Sequence, residues 1–476
     1  MRTRTHALAA VAAVLALLAA NPVGARLARG FPDPSFGRYG AVQTNFGSYD
    51  FGAAVSVQAD GKILAAGSTN DKVALARYIA NGRPDRSFSK DGKTTLSLEA
   101  PAAASSIAPA PGGKVVVAGT QYRYLSEEQC CQYGVVVARL TRSGALDGTF
   151  GDGGSVVMEI PSSGTRAGIF GGALAVRPDG SIIVGGSMIV DPVETEIEDF
   201  LDDVLPSPMP IPRVQRTAFW LSKLTPAGDP DPTFGVNGTV TVPLDGASNG
   251  LADIAVAPDG SIIAAGRTDG DPRPGMIVAR FLPSGELDPM FGPGGFVALR
   301  TGSDRDASAT GVALTRSGSI VVSGFAIAGI GDNFLDARAV VVRLRPDGTL
   351  DPAFGKAGVT RFQIGRSSLG MDVALTPSGA VYVAGMTQIQ FHFFTSFRST
   401  VYSLTSSGKL VRGFGIGGAG ELPPEVIYAG AIALHKGKPL VIGSALGGTT
   451  GQICSGTFCF FAGVPDFDFM LVRLRA

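Results

Sequence analysis

The stretch GELDPMFG, residues 285–292, recurs along this chain of 476 residues and decides how the rest of it must fold. Most copies share a leading Gly, an Asp at the fourth position and a closing Phe-Gly. The other copies are GTLDPAFG from Gly348, GALDGTFG from Gly144, GDPDPTFG from Gly228, GRPDRSFS from Gly82, GKLVRGFG from Gly408 and the fragment FPDPSFG from Phe31. Self-similarity at a fixed period is the signature of a repeat architecture.

The spacing of the motif gives the size of the repeat. Its Phe recurs at Phe36, Phe88, Phe150, Phe234, Phe291, Phe354 and Phe414. The successive intervals are 52, 62, 84, 57, 63 and 60 residues. A unit is therefore about 60 residues long, and one unit carries a large insertion.

Each unit has the pattern of four short strands. In one example, residues 253–256 alternate in polarity and end in the turn Pro258-Asp259-Gly260, and a second apolar run ends at Gly266. A third run carries Arg280 before an apolar residue, and the motif and a short fourth run follow. Period-2 alternation bounded by Gly turns predicts antiparallel strands, and four per repeat predict a propeller blade.

Seven copies of the Gly that closes the second strand predict seven blades. They are Gly67, Gly119, Gly186, Gly266, Gly324, Gly385 and Gly443. The last unit stops after its third strand, and residues 31–47 supply the missing motif and strand. We therefore expect an all-β, seven-bladed β-propeller of four-stranded antiparallel blades. Its N-terminal strand completes the last blade, which leaves no open sheet edge between the first and last blades.

The motif, the Pro-Asp-Gly turn and the Ala-Gly strand end resemble the delta-60 repeat proteins of bacteria. The resemblance covers nearly the whole chain after its first residues. It implies an exported, repeat-built protein of a family largely without assigned activity, and it brings no catalytic residues. The copy from Gly408 departs from the pattern, because Val411 replaces the Asp.

The motif residues have a structural interpretation. We expect each Asp to accept hydrogen bonds from backbone N–H groups two or three residues on, each Phe to pack between sheets and the trailing Gly to adopt positive φ. The alternative for the Asp is a calcium ligand, although further carboxylates at ligand spacing are missing. The motif pairs are Asp33 and Phe36, Asp147 and Phe150, Asp231 and Phe234, Asp288 and Phe291, and Asp351 and Phe354.

The first residues have the pattern of a targeting segment. Arg2 and Arg4 precede the apolar run 7–20, and small residues end at Ala25. The sequence predicts a secretory signal over residues 1–25, cleaved near Ala25, because 14 apolar residues are short for a membrane anchor. Residues 26–476 then form one propeller domain, secreted or on the exterior of the cell envelope. With zero formal net charge, nothing indicates nucleic-acid capture, and we expect a monomer with no membrane span.

Four Cys are compatible with disulfides in an exported protein. Cys454 and Cys459 could close a small loop, and Cys130 and Cys131 could pair with each other or elsewhere. The connectivity stays open. We expect no metal site and no cofactor, since His392 and His435 lack ligand spacing to the Cys.

The long insertions all fall between the second and third strands, so they share one face of the ring. They cover residues 120–134, 188–216, 325–338, 386–399 and 445–466. Residues 191–206 have a helical pattern, with Asp191 as N-cap and Pro192 at the first position. We expect this helix either to pack on the rim of the propeller or to act as a lid or docking element.

Two carboxylates lie in register in the predicted inner strands. Aligning the strands on their turns places Asp253 and Asp372 with Ser106 and other small residues at a channel mouth near the variable face. They are candidates for binding a cation or polar ligand, or for general acid–base catalysis. The alternative is that they are solvated or cap exposed backbone groups.

Regular turns on one face and variable loops on the other favour a binding surface over a catalytic site. We expect a non-catalytic propeller that binds a protein or a surface polymer through its variable face. The alternative is an extracellular carbohydrate-active enzyme that uses the channel-mouth carboxylates.

Overall fold

The structure of the protein is a computed structural model. It describes residues 29–47, 49–124, 131–159, 169–192, 215–244, 248–270, 274–299, 306–331, 334–391, 394–446, 451–455, 458–462 and 467–476. Proposed signal residues 1–25, Cys130 and His392 lie outside these ranges.

Seven four-stranded antiparallel sheets follow one another along the chain, which confirms the seven-bladed propeller. Blades 1 to 3 are β2 (Phe51–Val57), β3 (Ile63–Thr69), β4 (Lys72–Tyr78), β5 (Lys93–Leu96); β6 (Ala102–Ala110), β7 (Lys114–Tyr124), β8 (Cys131–Leu140), β9 (Ser155–Glu159); and β10 (Ile169–Val176), β11 (Ile182–Pro192), β12 (Gln215–Leu224), β13 (Thr239–Val242). A single 3-10 turn, Pro111–Gly113, joins β6 to β7.

The remaining blades repeat this order. Blades 4 to 6 are β14 (Asn249–Val256), β15 (Ile262–Thr268), β16 (Gly275–Phe281), β17 (Phe296–Leu299); β18 (Asp306–Leu314), β19 (Ile320–Gly331), β20 (Phe334–Leu344), β21 (Val359–Phe362); and β22 (Ser367–Leu375), β23 (Val381–Phe391), β24 (Phe394–Leu404), β25 (Ala419–Glu421). Blade 7 contains β26 (Val426–His435), β27 (Lys438–Leu446) and β30 (Phe467–Arg473). Its insertion forms a separate hairpin of β28 (Gly451–Ser455) and β29 (Phe458–Ala462).

The N-terminal strand closes the ring, as the split repeat predicts. Strand β1 (Ala41–Thr44) pairs with β30, so blade 7 has the order β1, β30, β27, β26. Residue 41 lies opposite residue 472 in this pair. The chain termini therefore complete one sheet, and the last blade has no unpaired outer strand.

The Pro-Asp-Gly-type turns and the motifs lie together on one end of the ring, which we call the turn face. A circle of backbone hydrogen bonds runs around this face, from the residue after each motif Phe to the next motif. The bonds are Gly37 to Asn81, Ser89 to Ser143, Gly151 to Ala227, Gly235 to Ser284, Gly292 to Asp347, Gly355 to Ser407 and Gly415 to Arg29, at 2.7 to 3.0 Å. The bond to Arg29 returns to the N-terminal segment, so the circle is complete.

The motif residues behave as the sequence predicts. Each motif Asp accepts a bond from the backbone N–H two residues on, as Asp231 does from Thr233 at 2.9 Å. Each motif Phe side chain is at most 1% exposed. The trailing Gly has positive φ, 54° at Gly292 for example.

Each motif Asp also forms an ion pair with a basic side chain, which was not predicted from the sequence. The basic residue of the third strand pairs with it, as in Arg139 Nε to Asp147 Oδ2 at 2.7 Å. The guanidinium lies over the motif Phe, with the carbon Cζ 4.7 Å from the Phe150 ring, and it donates to the Pro226 carbonyl of the next blade. We call this arrangement of a basic residue, Asp and Phe the clamp, because it joins two blades; in blade 3 the basic residue is Lys223 instead of Arg.

Burial and hydrogen bonding set the ionisation of the clamp. A hydrogen bond from Lys223 and further hydrogen bonds from Thr233 lower the pKa of Asp231 to about 2, and they outweigh the opposing effect of burial. Blade 6 has no clamp, because Ser403 and Val411 replace both partners. There Tyr382, which lies opposite Ser403, packs against Phe414 with ring centroids 5.6 Å apart.

On the opposite end of the ring, the described parts of the insertions in blades 2, 3, 5 and 6 extend the second and third strands. Strands β7, β11, β19 and β23 are 11, 11, 12 and 11 residues long, whereas β3 and β15 have 7. The hairpins of blades 2, 3, 5 and 6 therefore rise above those of blades 1 and 4. We call this end the hairpin face.

The predicted N-terminus of a helix at Asp191 is wrong. Asp191 and Pro192 continue β11 and pair with Arg216 and Gln215. The long strand extends because its backbone finds a partner in β12, which a solvent-exposed helix start would lack. Residues 193–206 of the predicted helix lie outside the described residues. In the part of the chain that the structure describes, no helix is long and apolar enough to cross a membrane.

Candidate functional site

All seven inner strands carry a β-bulge at the same height. The bulged residues are Ala53, Ser105, Gly172, Ala252, Thr310, Met371 and Gly430. The residue after each bulge has its partner in the second strand, directly before the repeated Gly of that strand. Asp253, for example, lies opposite Ala265, which precedes Gly266. A bulge leaves one residue unpaired and turns the backbone locally, so N–H groups here are free for side-chain partners.

The residues after the bulges form one level of the channel. They are Ala54, Ser106, Ala173, Asp253, Gly311, Asp372 and Ala431. Ser106 thus shares the level of the two Asp residues, two blades away from Asp253. No Lys or Arg occupies these seven positions or the seven bulges.

The height of this level differs from the expected channel mouth. Asp253 is the fifth of eight residues in β14, and Asp372 is the sixth of nine in β22. Both therefore lie about midway along the channel. The difference arises because the inner strands extend further toward the hairpin face than the turn-based alignment indicated.

Each carboxylate bridges two neighbouring blades through backbone N–H groups. Asp253 accepts from Ile254 N through Oδ1 and from Val312 N of blade 5 through Oδ2, both at 2.8 Å. Asp372 accepts from Val373 N at 2.7 Å and from Ile432 N of blade 7 at 2.8 Å. These bonds agree with the backbone-capping alternative, and they also fix both carboxyl groups in the channel wall.

Gly311 separates the two carboxylates. A Cβ at this position would lie 2.8 Å from Asp372 Oδ1, and the next residue, Val312, donates to Asp253. Standard bond lengths along this path limit the separation of the two carboxylates to about 10 Å or less. Any side chain larger than Gly would displace Asp372.

The surroundings of the pair disfavour two negative charges. Both side chains are half-buried. Burial raises the pKa of Asp253, and the charge of Asp372 raises it further. Burial likewise raises the pKa of Asp372. Hydrogen bonds to the carboxylates oppose these shifts without cancelling them, so the pair retains a proton to a higher pH than an isolated carboxyl group does.

An aromatic pair lies above this level, toward the hairpin face. Phe51 and Tyr428 each lie three residues before the post-bulge position of adjacent blades 1 and 7, and they are 45% and 39% exposed. The Tyr428 ring covers Gly430, where a Cβ would lie 3.0 Å from its Cε1 atom. Burial and the charge of Asp372 both raise the pKa of Tyr428, which places its hydroxyl within the field of that carboxylate.

Ser323 is a further polar residue at this level that sequence reasoning missed. It lies opposite Gly311 and is fully buried, and its Oγ has no hydrogen-bond partner. Its counterparts in the other blades are Ala66, Ala118, Gly185, Ala265, Ala384 and Ile442. The same alignment that found Asp253 would have found Ser323, Phe51 and Tyr428 had it been extended to the neighbouring positions.

The other predicted residues are elsewhere. Cys454 lies directly opposite Cys459 in the β28–β29 hairpin, and Cys131 begins β8 opposite Tyr124. His435 is 1% exposed, and its Nδ1 lies 2.9 Å from the Arg473 guanidinium. Among the described residues, no group of three or more His, Cys, Asp or Glu could hold a metal ion.

Comparison with known proteins supports the fold. Residues 58–88, 257–291 and 316–354 match a family described as "Domain of unknown function (DUF5122) beta-propeller". No curated protein matches the chain.

Similar solved structures are distant. A virginiamycin B lyase from Staphylococcus aureus is 9% identical over 91% of this chain and 98% of its own, with a TM-score of 0.45. A polysaccharide lyase of family PL25, an ulvan lyase, is 10% identical over 84% and 93%, also with a TM-score of 0.45. An α-L-arabinofuranosidase from Fusarium graminearum is 11% identical over 76% and 97%, with a TM-score of 0.38.

Proposed function

We propose that this chain is an exported propeller of the delta-60 repeat type, which binds an extracellular macromolecule, a protein or a surface polymer, through its hairpin face. The observation that carries the proposal is the asymmetry of the two faces. The turn face repeats one circle of hydrogen bonds and one clamp, whereas the hairpin face varies from blade to blade. Variable segments on a rigid scaffold are where binding residues concentrate.

The hairpin face also has depressions between neighbouring hairpins, a shape that suits an extended ligand. Blade 1 ends in the tight turn Asn70-Asp71, beside the long hairpin of blade 2. Two small depressions lie here and share Pro101; one is lined by Leu98 and Asp71 and the other by Tyr122. Tyr122 connects them by donating from Oη to Asp71 Oδ1 at 2.8 Å.

A binding screen over glycans and cell-surface proteins, with loop-shortened variants, tests the proposal. In one variant, residues 327–337 of blade 5 are replaced by Asn-Asp, the turn that blade 1 uses, so that it connects the paired residues Ala326 and Arg338. The matched control is Asp259→Asn in a turn of the opposite face. We expect the shortened variant to lose the ligand and the control to keep it. A ligand retained by both variants, or one lost equally from both, contradicts a site on this part of the hairpin face.

A second candidate function is glycoside hydrolysis by Asp253 and Asp372. It is favoured by a carboxylate separation of about 10 Å or less and by the raised pKa of both carboxyl groups. Asp253 would then be the general acid and Asp372 the base. Release of reducing ends from polysaccharides by the native chain, lost in both Asp253→Asn and Asp372→Asn, supports it. Release that survives both substitutions excludes the pair.

A further inference from the structure

The channel level of Asp253 and Asp372 has the chemistry of a cation site. Two carboxylates lie close together, and neither the post-bulge positions nor the bulges supply a basic side chain. Each of the four carboxyl oxygens accepts one backbone N–H, which leaves a second acceptor direction on each oxygen. Fixed acceptors that need no rearrangement to receive a donor favour binding.

Ser323 adds an independent acceptor at the same place. The position that a Gly311 side chain would fill is 2.8 Å from Asp372 Oδ1 and 3.0 Å from Ser323 Oγ. The two oxygens therefore lie at most about 6 Å apart, and the buried hydroxyl has no hydrogen-bond partner in the protein. A buried unpartnered hydroxyl is costly unless something outside the chain satisfies it.

Two aromatic side chains lie toward the hairpin face from this level. Tyr428 and Phe51 are partly exposed, and the Phe51 ring packs against Phe467 with centroids 5.2 Å apart. A cation is attracted by the face of an aromatic ring as well as by a carboxylate. Carboxylates with aromatic side chains nearby favour an organic cation with N–H donors over a neutral polar group.

We propose that the channel binds a protonated primary amine, held by Asp372 and Ser323 on the level that also carries Asp253, on a ligand that enters from the hairpin face past Tyr428 and Phe51. This inference rests on the proposed function, since it names the chemical group that a ligand of the hairpin face would place in the channel. A primary ammonium fits because its three donors match the convergent oxygens.

The test is titration calorimetry of the full chain at pH 7 with two pairs of probes. Ethanolamine is compared with ethylene glycol, and glucosamine with glucose, so that each pair differs in the ammonium group alone. We expect heat from the amines and none from their neutral counterparts. Equal binding of both members of a pair overturns the proposal in favour of a neutral polar ligand.

Variants locate the site. Asp372→Asn should weaken amine binding roughly tenfold or more, because a charged acceptor is replaced by a neutral one. Ser323→Ala should weaken it less, and Tyr428→Ala should weaken it while Tyr428→Phe retains it. Asp347→Asn, on the turn face, is the control. Binding unchanged in Asp253→Asn/Asp372→Asn means that the amine binds elsewhere.

Calcium distinguishes the amine site from the remaining alternative, which is a metal site. Stabilisation of the native chain by calcium chloride, reversed by chelator, with no response to either amine, would overturn the amine site in favour of a metal. Melting curves of each variant report folding separately from binding. If the amines fail but a glycan or protein still binds and needs the blade 5 hairpin, the proposed function stands without this inference.

Discussion

Arg473 Nε donates to Asp33 Oδ2 at 3.1 Å, a bond between residues 440 positions apart in sequence. Lys438 Nζ reaches the same oxygen at 2.7 Å. The guanidinium also lies over the Phe36 ring at 4.6 Å and donates to the Ala80 carbonyl of blade 1 at 3.0 Å. The clamp of blade 7 is thus assembled from both ends of the chain, and it seals the ring.

Removing the charge of this clamp should destabilise the protein. Asp33→Asn retains the acceptor for the Ser35 N–H but leaves Arg473, 5% exposed, without its carboxylate. Breaking a buried ion pair in this way costs about 3 kcal/mol. Denaturant unfolding followed by circular dichroism measures it.

The control for that variant is Asp347→Asn. Asp347 makes the same local turn, accepting from Thr349 N at 2.9 Å, but it is exposed. Its substitution should change stability by about 0.5 kcal/mol or less. Equal unfolding midpoints for the two variants would contradict the sealing role of Asp33.

Blade 6 should accept a transplanted clamp. Tyr382 fills the space that the guanidinium occupies elsewhere, so the transplant is Tyr382→Val/Ser403→Arg/Val411→Asp. We expect this triple variant to unfold within about 1 kcal/mol of the native chain, since a buried pair and a packed apolar group are often of similar stability.

The matched variant, Tyr382→Val/Ser403→Arg, lacks the carboxylate. It should be less stable than the triple variant by about 3 kcal/mol, because its guanidinium is buried alone. Thermal and denaturant unfolding of both measure the coupling. A double variant as stable as the triple one would show that Arg and Asp do not act together.

We expect stability to require the leading Gly of the motif, because it packs against the motif Phe of the previous blade. At Gly144, φ is +91° and a Cβ would lie 3.0 Å from the Phe88 ring. At Gly153, φ is +58° and a Cβ would meet nothing within 4 Å. Both substitutions by Ala carry the backbone cost of positive φ, ~1 kcal/mol, and Gly144→Ala adds overpacking of ~1 kcal/mol or more. A Gly144→Ala variant no less stable than Gly153→Ala would refute the contact between blades.

The channel carboxylate Asp253 should make stability fall as pH rises. Because the folded state raises its pKa above the unfolded value, the folded chain binds more protons between those two values. The unfolding free energy therefore decreases with increasing pH in the window from about 4 to 8.

Asp253→Asn cannot titrate, so its stability relative to the native chain should improve across that window, whatever the constant cost of the lost acceptor. Unfolding measured at intervals from about pH 4 to 8 tests this. Parallel stability curves for the two proteins would show that Asp253 ionises as freely in the channel as in the unfolded chain.

The motif predicts the blade count, the split last blade and the turn hydrogen bonds, because each depends on residues close in sequence whose backbone preferences are strong. Gly292 supplies a positive φ and Asp288 accepts a backbone hydrogen bond, and both act within a single turn. The same local reasoning misplaced Asp191 and Pro192, since the strand partner that outweighs a helix start, Arg216, lies across a long insertion.

The sequence alone determined the ring and the level at which Asp253, Asp372 and Ser106 align, since strand register follows from a period of two between fixed turns. Only the tertiary structure decided what surrounds them. Closure brought Arg473 to Asp33, and adjacent blades brought Val312 to Asp253 and Gly311 to Asp372. These contacts join residues about 60 or more positions apart, and only the packing of one sheet against the next sets their distances.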